Sequence, residues 1–154
     1  MNAGSNSREP VTVAGDNRKT VEQFIDRVVA GRDMTCIEEV CTESVACRMP
    51  IGAADGPDAM RAVLDAIFRA FPDFRIKTEY TVAENDHVAV RVTMRATLSG
   101  EFEGREPNGR RLVLPQLWMF RLAAGRISGL DVIYDNRIVA DMLGARQSMS
   151  RSSL

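Results

Sequence analysis

The sequence has few of the residues on which catalytic and metal sites usually depend. Its 154 residues include one histidine, His87, and one tryptophan, Trp118, and the net charge is -1 at pH 7. This balanced charge gives no indication of the basic surface typical of nucleic-acid-binding domains, and we expect no nucleic-acid partner. No apolar run reaches the roughly 18 residues of a membrane span, and no cationic-then-apolar segment opens the chain, so we expect neither a membrane helix nor a secretion signal.

Cysteine is also scarce. Cys36, Cys41 and Cys47 are odd in number, widely spaced and without a nearby histidine, which argues against a zinc site and against a disulfide scaffold. We interpret them as reduced, mostly buried thiols of a cytoplasmic protein. His87 follows the turn signal Asn85–Asp86 and is predicted to be a solvated loop residue.

The length favours a single domain with a substantial core. Residues 1–16 are rich in Gly, Ser, Asn and Asp and are predicted to be a disordered tail. Residues 145–154 are rich in Ser and Arg and are predicted to fray. The folded domain is therefore expected to cover residues 17–144.

Helical patterns dominate the first half of the chain. Thr20 is predicted to cap a first helix in a capping box with Gln23, and Gly31 to end it. A short second helix is expected from Asp33, a strand over 44–50, and a loop over 51–56. The strongest amphipathic helix follows at 57–71, with apolar residues at helical spacing.

Alternating patterns dominate the second half. Residues 74–82 and 88–98 alternate between apolar and polar side chains, and Leu112 to Asp135 reads as a β-hairpin. Asn136 is expected to cap a short last helix that ends at Gly144. Helices grouped before antiparallel strands predict an α+β domain, with helices on one face of a curved sheet.

The hairpin supplies the main candidate for chemistry. A turn centred near Ala124 places Trp118 opposite Leu130 or Asp131, about 5 Å away on the same face. A charge on an apolar strand face is costly unless it has a function or a partner. Asp131 is therefore predicted to be a general base, with its pKa raised by burial. The alternative is a surface carboxylate paired with a nearby arginine.

Several segments together resemble the SnoaL-like polyketide cyclases. They cover roughly Val21 to Gly144 in matching order: 56–61, 70–74, 88–91, 97–104, 107–111, 125–127 and 142–144. The resemblance implies the cone-shaped α+β fold of the nuclear-transport-factor-two superfamily, in which a curved, mostly antiparallel sheet wraps around N-terminal helices. It also implies a deep pocket, homodimers packed through the outer face of the sheet, and neither a metal nor an organic cofactor.

The resemblance further implies an aspartate on the last strand that abstracts an acidic proton from a polyketide ester. Asp131 is the best match, whereas an ungapped alignment places Val132 there. Leu98 and Trp118 stand where the family frequently has histidine. The residues predicted to bind substrate are Trp118, Tyr80, Gln116, Arg48, Met94 and Leu98.

The first functional hypothesis is a cofactor-independent cyclase or isomerase of a hydrophobic, polyketide-like intermediate, with Asp131 as acid and base. The second is a non-catalytic, dimeric module that binds a small molecule. The third is an epoxide hydrolase or epoxide-opening cyclase, which needs a second inward carboxylate or a tyrosine. The position of Asp131 decides between the first two hypotheses: a buried Asp131 favours catalysis, and an outward Asp131 favours binding.

Overall fold

The computed structural model describes residues 12–144, which open with a long helical segment. Helix α1 spans Val13–Gln23 and continues into a π-helical stretch, Phe24–Ala30. Its N-cap is Thr12, whose Oγ1 accepts a hydrogen bond of 2.9 Å from the Gly15 N–H. The predicted start at Thr20 is therefore wrong, and residues 13–16 of the predicted tail are helical. Residues 1–11 of that tail and residues 145–154 lie outside the described residues.

Three more α-helices follow: α2, Cys36–Val40; α3, Pro57–Ala70; and α4, Asn136–Leu143. Pro57 opens α3 as predicted, because proline tolerates the first helical turn, where its missing N–H has no partner to lose. Asp135 rather than Asn136 caps α4, and Gly144 ends it at a φ of 81°. Among residues 12–144, no helix is long and apolar enough to cross a bilayer.

Six strands form one sheet. They are β1, Cys41–Met49; β2, Gly52–Asp55; β3, Arg75–Glu84; β4, His87–Thr97; β5, Arg111–Ala123; and β6, Arg126–Ile133. Their order is β2-β1-β6-β5-β4-β3, and only the β1–β6 pair is parallel. The predicted mostly antiparallel α+β fold is confirmed, but residues 52–55, predicted to be part of a loop, form the edge strand β2.

The inner face of the sheet carries the main core. Alternate residues of β4 and β5 are buried, as their alternation predicts. Phe24, from the π-helical stretch, packs edge-to-face on Phe120 at 5.8 Å between ring centroids, and Trp118 packs on Phe120 at 6.2 Å. These aromatic contacts seat the N-terminal helical segment against the sheet and place Trp118 on its inner side.

A β-bulge in the β5–β6 hairpin decides which side chains of β6 face inward. The turn residues Ala124 and Gly125 both have positive φ, as in the two-residue turns that suit hairpins. Leu122 pairs with Ile127 but Arg121 pairs with Gly129, so one residue, at 128, is extra. A one-residue shift reverses the faces of a strand. The structure therefore pairs Trp118 with Val132, not with Leu130 or Asp131.

A second bulge reverses the faces of β3. Thr78 pairs with Val92, which is buried, but Tyr80 pairs with Arg91 on the outer face. Tyr80 is consequently 59% exposed, and so is Val82. The prediction that Tyr80 points inward is wrong. The prediction assumed that inward and outward residues alternate without interruption along the strand, whereas the bulge between Thr78 and Tyr80 reverses the two faces.

Candidate ligand-binding cavity

An apolar cavity lies between the inner face of the sheet and helices α3 and α4. Side chains from α3, α4 and five segments of the sheet line it, together with Phe24 and Val29 of the π-helical stretch. Its free volume is about 110 Å³. About 10–15 Å³ by this measure suffices for one water molecule, so the space admits several waters, or a ligand of one or two rings.

The lining contains no charged side chain among the described residues. Its polar groups belong to four residues: Gln116, Trp118, Tyr134 and Cys47. An ionised group buried without a partner is strongly destabilised, whereas neutral groups such as these are tolerated when they are hydrogen-bonded. The cavity is therefore an uncharged, apolar space with a few neutral hydrogen-bond donors and acceptors.

Gln116 and Trp118 form the hydrogen-bonded part of the wall. The Trp118 Nε1–H donates to Gln116 Oε1 at 2.7 Å, and Gln116 Nε2 donates to Met94 Sδ at 3.3 Å. Thioether sulfur is a weak acceptor, and an amide nitrogen carries two N–H groups. Gln116, which is 7% exposed, therefore keeps hydrogen-bonding capacity for a ligand carbonyl.

Tyr134 adds a second polar group beside α4. Its hydroxyl forms no hydrogen bond with another described residue. Burial raises the pKa of Tyr134 to about 12, with a smaller contribution from Glu103. The phenol therefore stays protonated at neutral pH and can donate a hydrogen bond to a ligand.

The Cys47 thiol is also in the lining, as a neutral group. Burial raises its pKa to about 11, and the pKa of Cys41 rises to about 12 for the same reason. A thiol must lose its proton to act as a nucleophile, so Cys47 contributes apolar surface at neutral pH. All three cysteines are buried, as predicted.

Asp131 lies on the opposite side of the sheet. It is exposed, and in register its neighbours are Arg48 and Met119. The prediction that its carboxylate lies in the pocket is wrong, because the hairpin bulge turns Val132 inward in its place. The alternative of a surface carboxylate paired with an arginine gives the surface position correctly, but Arg48, its neighbour in register, forms its ion pair with Asp55.

The other predicted binding residues divide into two groups. Trp118, Gln116 and Met94 line the cavity, and their role in binding substrate stays a prediction. Arg48 is exposed and its Nη1 bonds Asp55 Oδ1 at 2.8 Å, and Leu98 is fully buried in a neighbouring apolar cluster without reaching the cavity. Cys47 takes the inward position next to Arg48, because successive strand residues alternate in face.

Sequence reasoning missed Tyr134, gave Val132 only as the alternative from an ungapped alignment, and predicted the exposure of His87 correctly. Tyr134 follows the last strand directly, where the phase of alternation was unknown without the bulge. His87 is exposed at the start of β4, and its Nδ1 lies 2.8 Å from Asp86 Oδ1. No described imidazole or carboxylate therefore reaches the cavity.

The sequence profile of the SnoaL-like polyketide cyclases matches residues 19–147, most of the chain. This chain belongs to the SnoaL-like polyketide cyclase family. No curated protein matches it in a sequence search. The family assignment fits the order of helices and strands and a cavity enclosed by them.

Solved structures agree on the fold. A protein from Jannaschia sp. CCS1, provisionally assigned as a SnoaL-like polyketide cyclase, has a TM-score of 0.81 at 22% identity, covering 90% of this chain and 98% of its own. IdmH from Streptomyces antibioticus, provisionally assigned as a polyketide cyclase, has a TM-score of 0.69 at 25% identity over 83% and 98%. An NTF2-like protein of unknown function from Burkholderia pseudomallei has a TM-score of 0.71 at 18% identity over 83% and 97%.

The cavity of this chain departs from what the family resemblance implies. Neutral side chains occupy the wall where the resemblance implies an acid, and Val132 holds the inward position on the last strand. A fold of this kind hosts several chemistries, so function has to be argued from these side chains.

Proposed function

We propose that this SnoaL-like protein binds a neutral, largely apolar small molecule that carries a carbonyl or hydroxyl group. The observation that supports the proposal is the cavity lining, which is apolar apart from neutral donors and acceptors. Burial of apolar surface contributes about 25 cal/mol per Å² to binding, and the few polar groups orient the ligand.

The polar groups suggest how such a ligand is held. The spare N–H of Gln116 donates to a carbonyl oxygen, and the Tyr134 hydroxyl donates to a second acceptor or accepts from a ligand hydroxyl. A flat ring can lie against Trp118, which offers an aromatic surface. The expected ligand is thus a small cyclic or aromatic ketone, or a polyketide-like fragment of similar size.

Replacing Asp131 by Asn is expected to change neither binding nor stability substantially. The carboxylate is exposed on the outer face, and surface substitutions usually stay within about 0.5 kcal/mol. The test titrates acetophenone, a neutral aryl ketone, into both proteins and follows the indole N–H signal of Trp118 by NMR. We expect dissociation constants that agree within about twofold.

A matched control for Asp131→Asn is Gln116→Leu, which removes the proposed donor inside the cavity. Gln116→Leu should weaken acetophenone binding about two- to tenfold, because one hydrogen bond contributes roughly 0.5–1.5 kcal/mol. A large loss in Asp131→Asn, with none in Gln116→Leu, would place the ligand on the outer face and refute the proposal.

Membership in the SnoaL-like family supports a second candidate, a cyclase or isomerase. Without a carboxylate or imidazole in the cavity, such an enzyme lacks the general base that typically contributes about 10²–10⁴-fold. Its catalysis would rest on alignment of a folded substrate and on polarisation of a carbonyl by Gln116. Deuterium exchange into a bound 1,3-diketone tests it: exchange faster than in buffer supports an enzyme. The epoxide hypothesis gains no support: Tyr134 lines the cavity and could serve as the tyrosine, but no described carboxylate lines the cavity to act as the acid beside it.

The outer face of the sheet supports a homodimer, which the family resemblance implies. Tyr80, Leu117 and Ile133 lie in one cross-strand row with Arg91 and are partly or largely exposed. Exposed apolar residues grouped on one face commonly mark an interaction surface. Sedimentation equilibrium should give twice the chain mass of 17.0 kDa, and the mass of a single chain would contradict the dimer.

A further inference from the structure

The outer face of the sheet carries a second hollow, unrelated to the cavity. It lies where β3 begins, β4 ends and β5 begins, and it has a volume of about 380 Å³. Six outward residues line it: Asp73, Arg75, Arg95, Thr97, Arg111 and Val113. We call it the arginine hollow.

The strand register concentrates positive charge in the arginine hollow. Arg75 on β3 pairs directly with Arg95 on β4, and Arg111 on β5 pairs with Thr97, two residues along β4 from Arg95. Directly opposite residues have Cβ atoms about 5 Å apart, and diagonal neighbours about 7–8 Å. Like charges this close destabilise a sheet unless an anion compensates them.

The described residues provide little compensation. None of the three arginines forms a salt bridge or a side-chain hydrogen bond with another described residue. Asp73 is the one carboxylate in the lining, and its oxygens accept from the Thr97 N–H at 2.8 Å and the Thr97 hydroxyl at 2.7 Å. Those bonds lower the Asp73 pKa, so it remains ionised. Three guanidinium groups against one carboxylate leave two positive charges unbalanced.

Glu79 is the next carboxylate along β3, and it is already engaged. Its Oε2 accepts from the Thr93 hydroxyl at 2.7 Å, and its Oε1 lies 3.7 Å from Lys77 Nζ. Arg95 contributes only weakly to lowering the Glu79 pKa, after Thr93, Lys77 and Arg91. Glu79 therefore leaves the excess charge of the arginine hollow in place.

We propose that the arginine hollow binds a dianionic phosphate group. A phosphate monoester carries about -1.5 to -2 charges at pH 7, which matches the unbalanced charge. Guanidinium groups present forked N–H donors that suit phosphate oxygens, and such charge-assisted bonds are roughly twice as strong as neutral ones. Val113, which is 52% exposed, offers apolar contact to an organic group attached to the phosphate.

The test is calorimetric titration of the full chain with inorganic phosphate and with phenyl phosphate at low ionic strength. Low ionic strength matters because exposed charges are screened beyond about 10 Å at 0.1 M salt. Arg95→Gln should weaken binding at least about tenfold, which is about 1.4 kcal/mol. The matched control is Arg91→Gln, on the same strand and face but about 13 Å away at 3.3 Å per residue; it should change affinity less than twofold.

Two probes distinguish the source of the phosphate. Tighter binding of phenyl phosphate supports a phosphorylated organic ligand, and equal binding supports free phosphate; both support the phosphate site. The proposal is overturned if neither inorganic phosphate nor phenyl phosphate binds more tightly than chloride does in a control titration. Equal weakening by Arg91→Gln and Arg95→Gln, which would indicate diffuse attraction, overturns it as well. A change of sedimentation mass in Arg95→Gln without any phosphate binding would assign the arginines to contacts between copies of the chain, and would also overturn it.

Discussion

Val132→Asp is expected to destabilise the protein by roughly 3–5 kcal/mol at pH 8. The side chain at this position is half-buried and lines the apolar cavity. Full burial raises the pKa of a carboxyl by up to about 3–5 units, or about 4–7 kcal/mol, and partial burial lowers that cost. The folded variant must therefore take up a proton or hold an unpaired charge. Total stabilities are typically about 5–15 kcal/mol, so the variant should fold in part.

The pH dependence of Val132→Asp separates charge from packing. The unfolded carboxyl has a pKa of about 3.9, and the folded one is raised. Between these values the folded state binds more protons, so stability relative to the parent protein is highest below about pH 4 and falls as pH rises. Urea denaturation at pH 4 and pH 8 measures this difference.

Val132→Asn is the matched control for Val132→Asp, because it introduces a polar group of the same shape without a titratable proton. Its destabilisation should be nearly equal at the two pH values. An equal destabilisation of Val132→Asp at pH 4 and pH 8 would mean that the introduced carboxylate is solvated. The cavity would then not be an apolar space. Val132→Asp also tests the catalytic alternative, since an inward base should accelerate deuterium exchange into a bound 1,3-diketone by about 10²–10⁴-fold.

Trp118→Phe is expected to cost about 1–3 kcal/mol, although it preserves most of the buried ring. The change removes the indole N–H and leaves the buried Gln116 Oε1, its acceptor at 2.7 Å, without a partner. A buried acceptor that loses its donor costs its full desolvation penalty. Urea denaturation followed by circular dichroism measures the effect without relying on the lost indole.

A double-mutant cycle isolates this bond. Adding Gln116→Leu to Trp118→Phe removes both partners, so the double variant should be destabilised by less than the two single variants together, with a coupling of about 0.5–3 kcal/mol. Met94→Leu is the companion control: it removes the weak sulfur acceptor and should cost less than about 1.5 kcal/mol. Strict additivity in the cycle would mean that the Trp118–Gln116 bond contributes nothing to the cavity wall.

The elements with strong, unbroken periodicity could be predicted from the sequence. Helix α3 begins at Pro57 as predicted and ends at Ala70, one residue before the predicted end. The alternation of β4 predicts its buried face correctly. In these segments burial of one face dominates, so the pattern of apolar residues records the structure directly. The start of α1 was misplaced because Thr12 caps it within a segment whose composition resembles a tail.

The content of the cavity could not be predicted in the same way. The bulge at residue 128 is followed by Gly129, which pairs with Arg121 across the hairpin; an added Cβ at Gly129 would lie 2.9 Å from Arg121 Nη2. Gly129 within the strand is a weak local signal for a bulge, but it does not fix which residue is extra. The extra residue exchanges Asp131 for Val132 on the inner face. A single unpredicted residue in a hairpin therefore changes the chemistry assigned to the site.

The most direct measurement of the neutral character of the cavity compares two ligands of equal size, acetophenone and benzoate, at pH 7. The single indole N–H signal of Trp118 reports binding by NMR. We expect acetophenone to shift it with a dissociation constant of about 1 mM or tighter, and benzoate to bind at least about 100-fold more weakly, because no described cation in the lining compensates a buried carboxylate. Equal or tighter binding of benzoate would contradict a cavity that selects uncharged molecules.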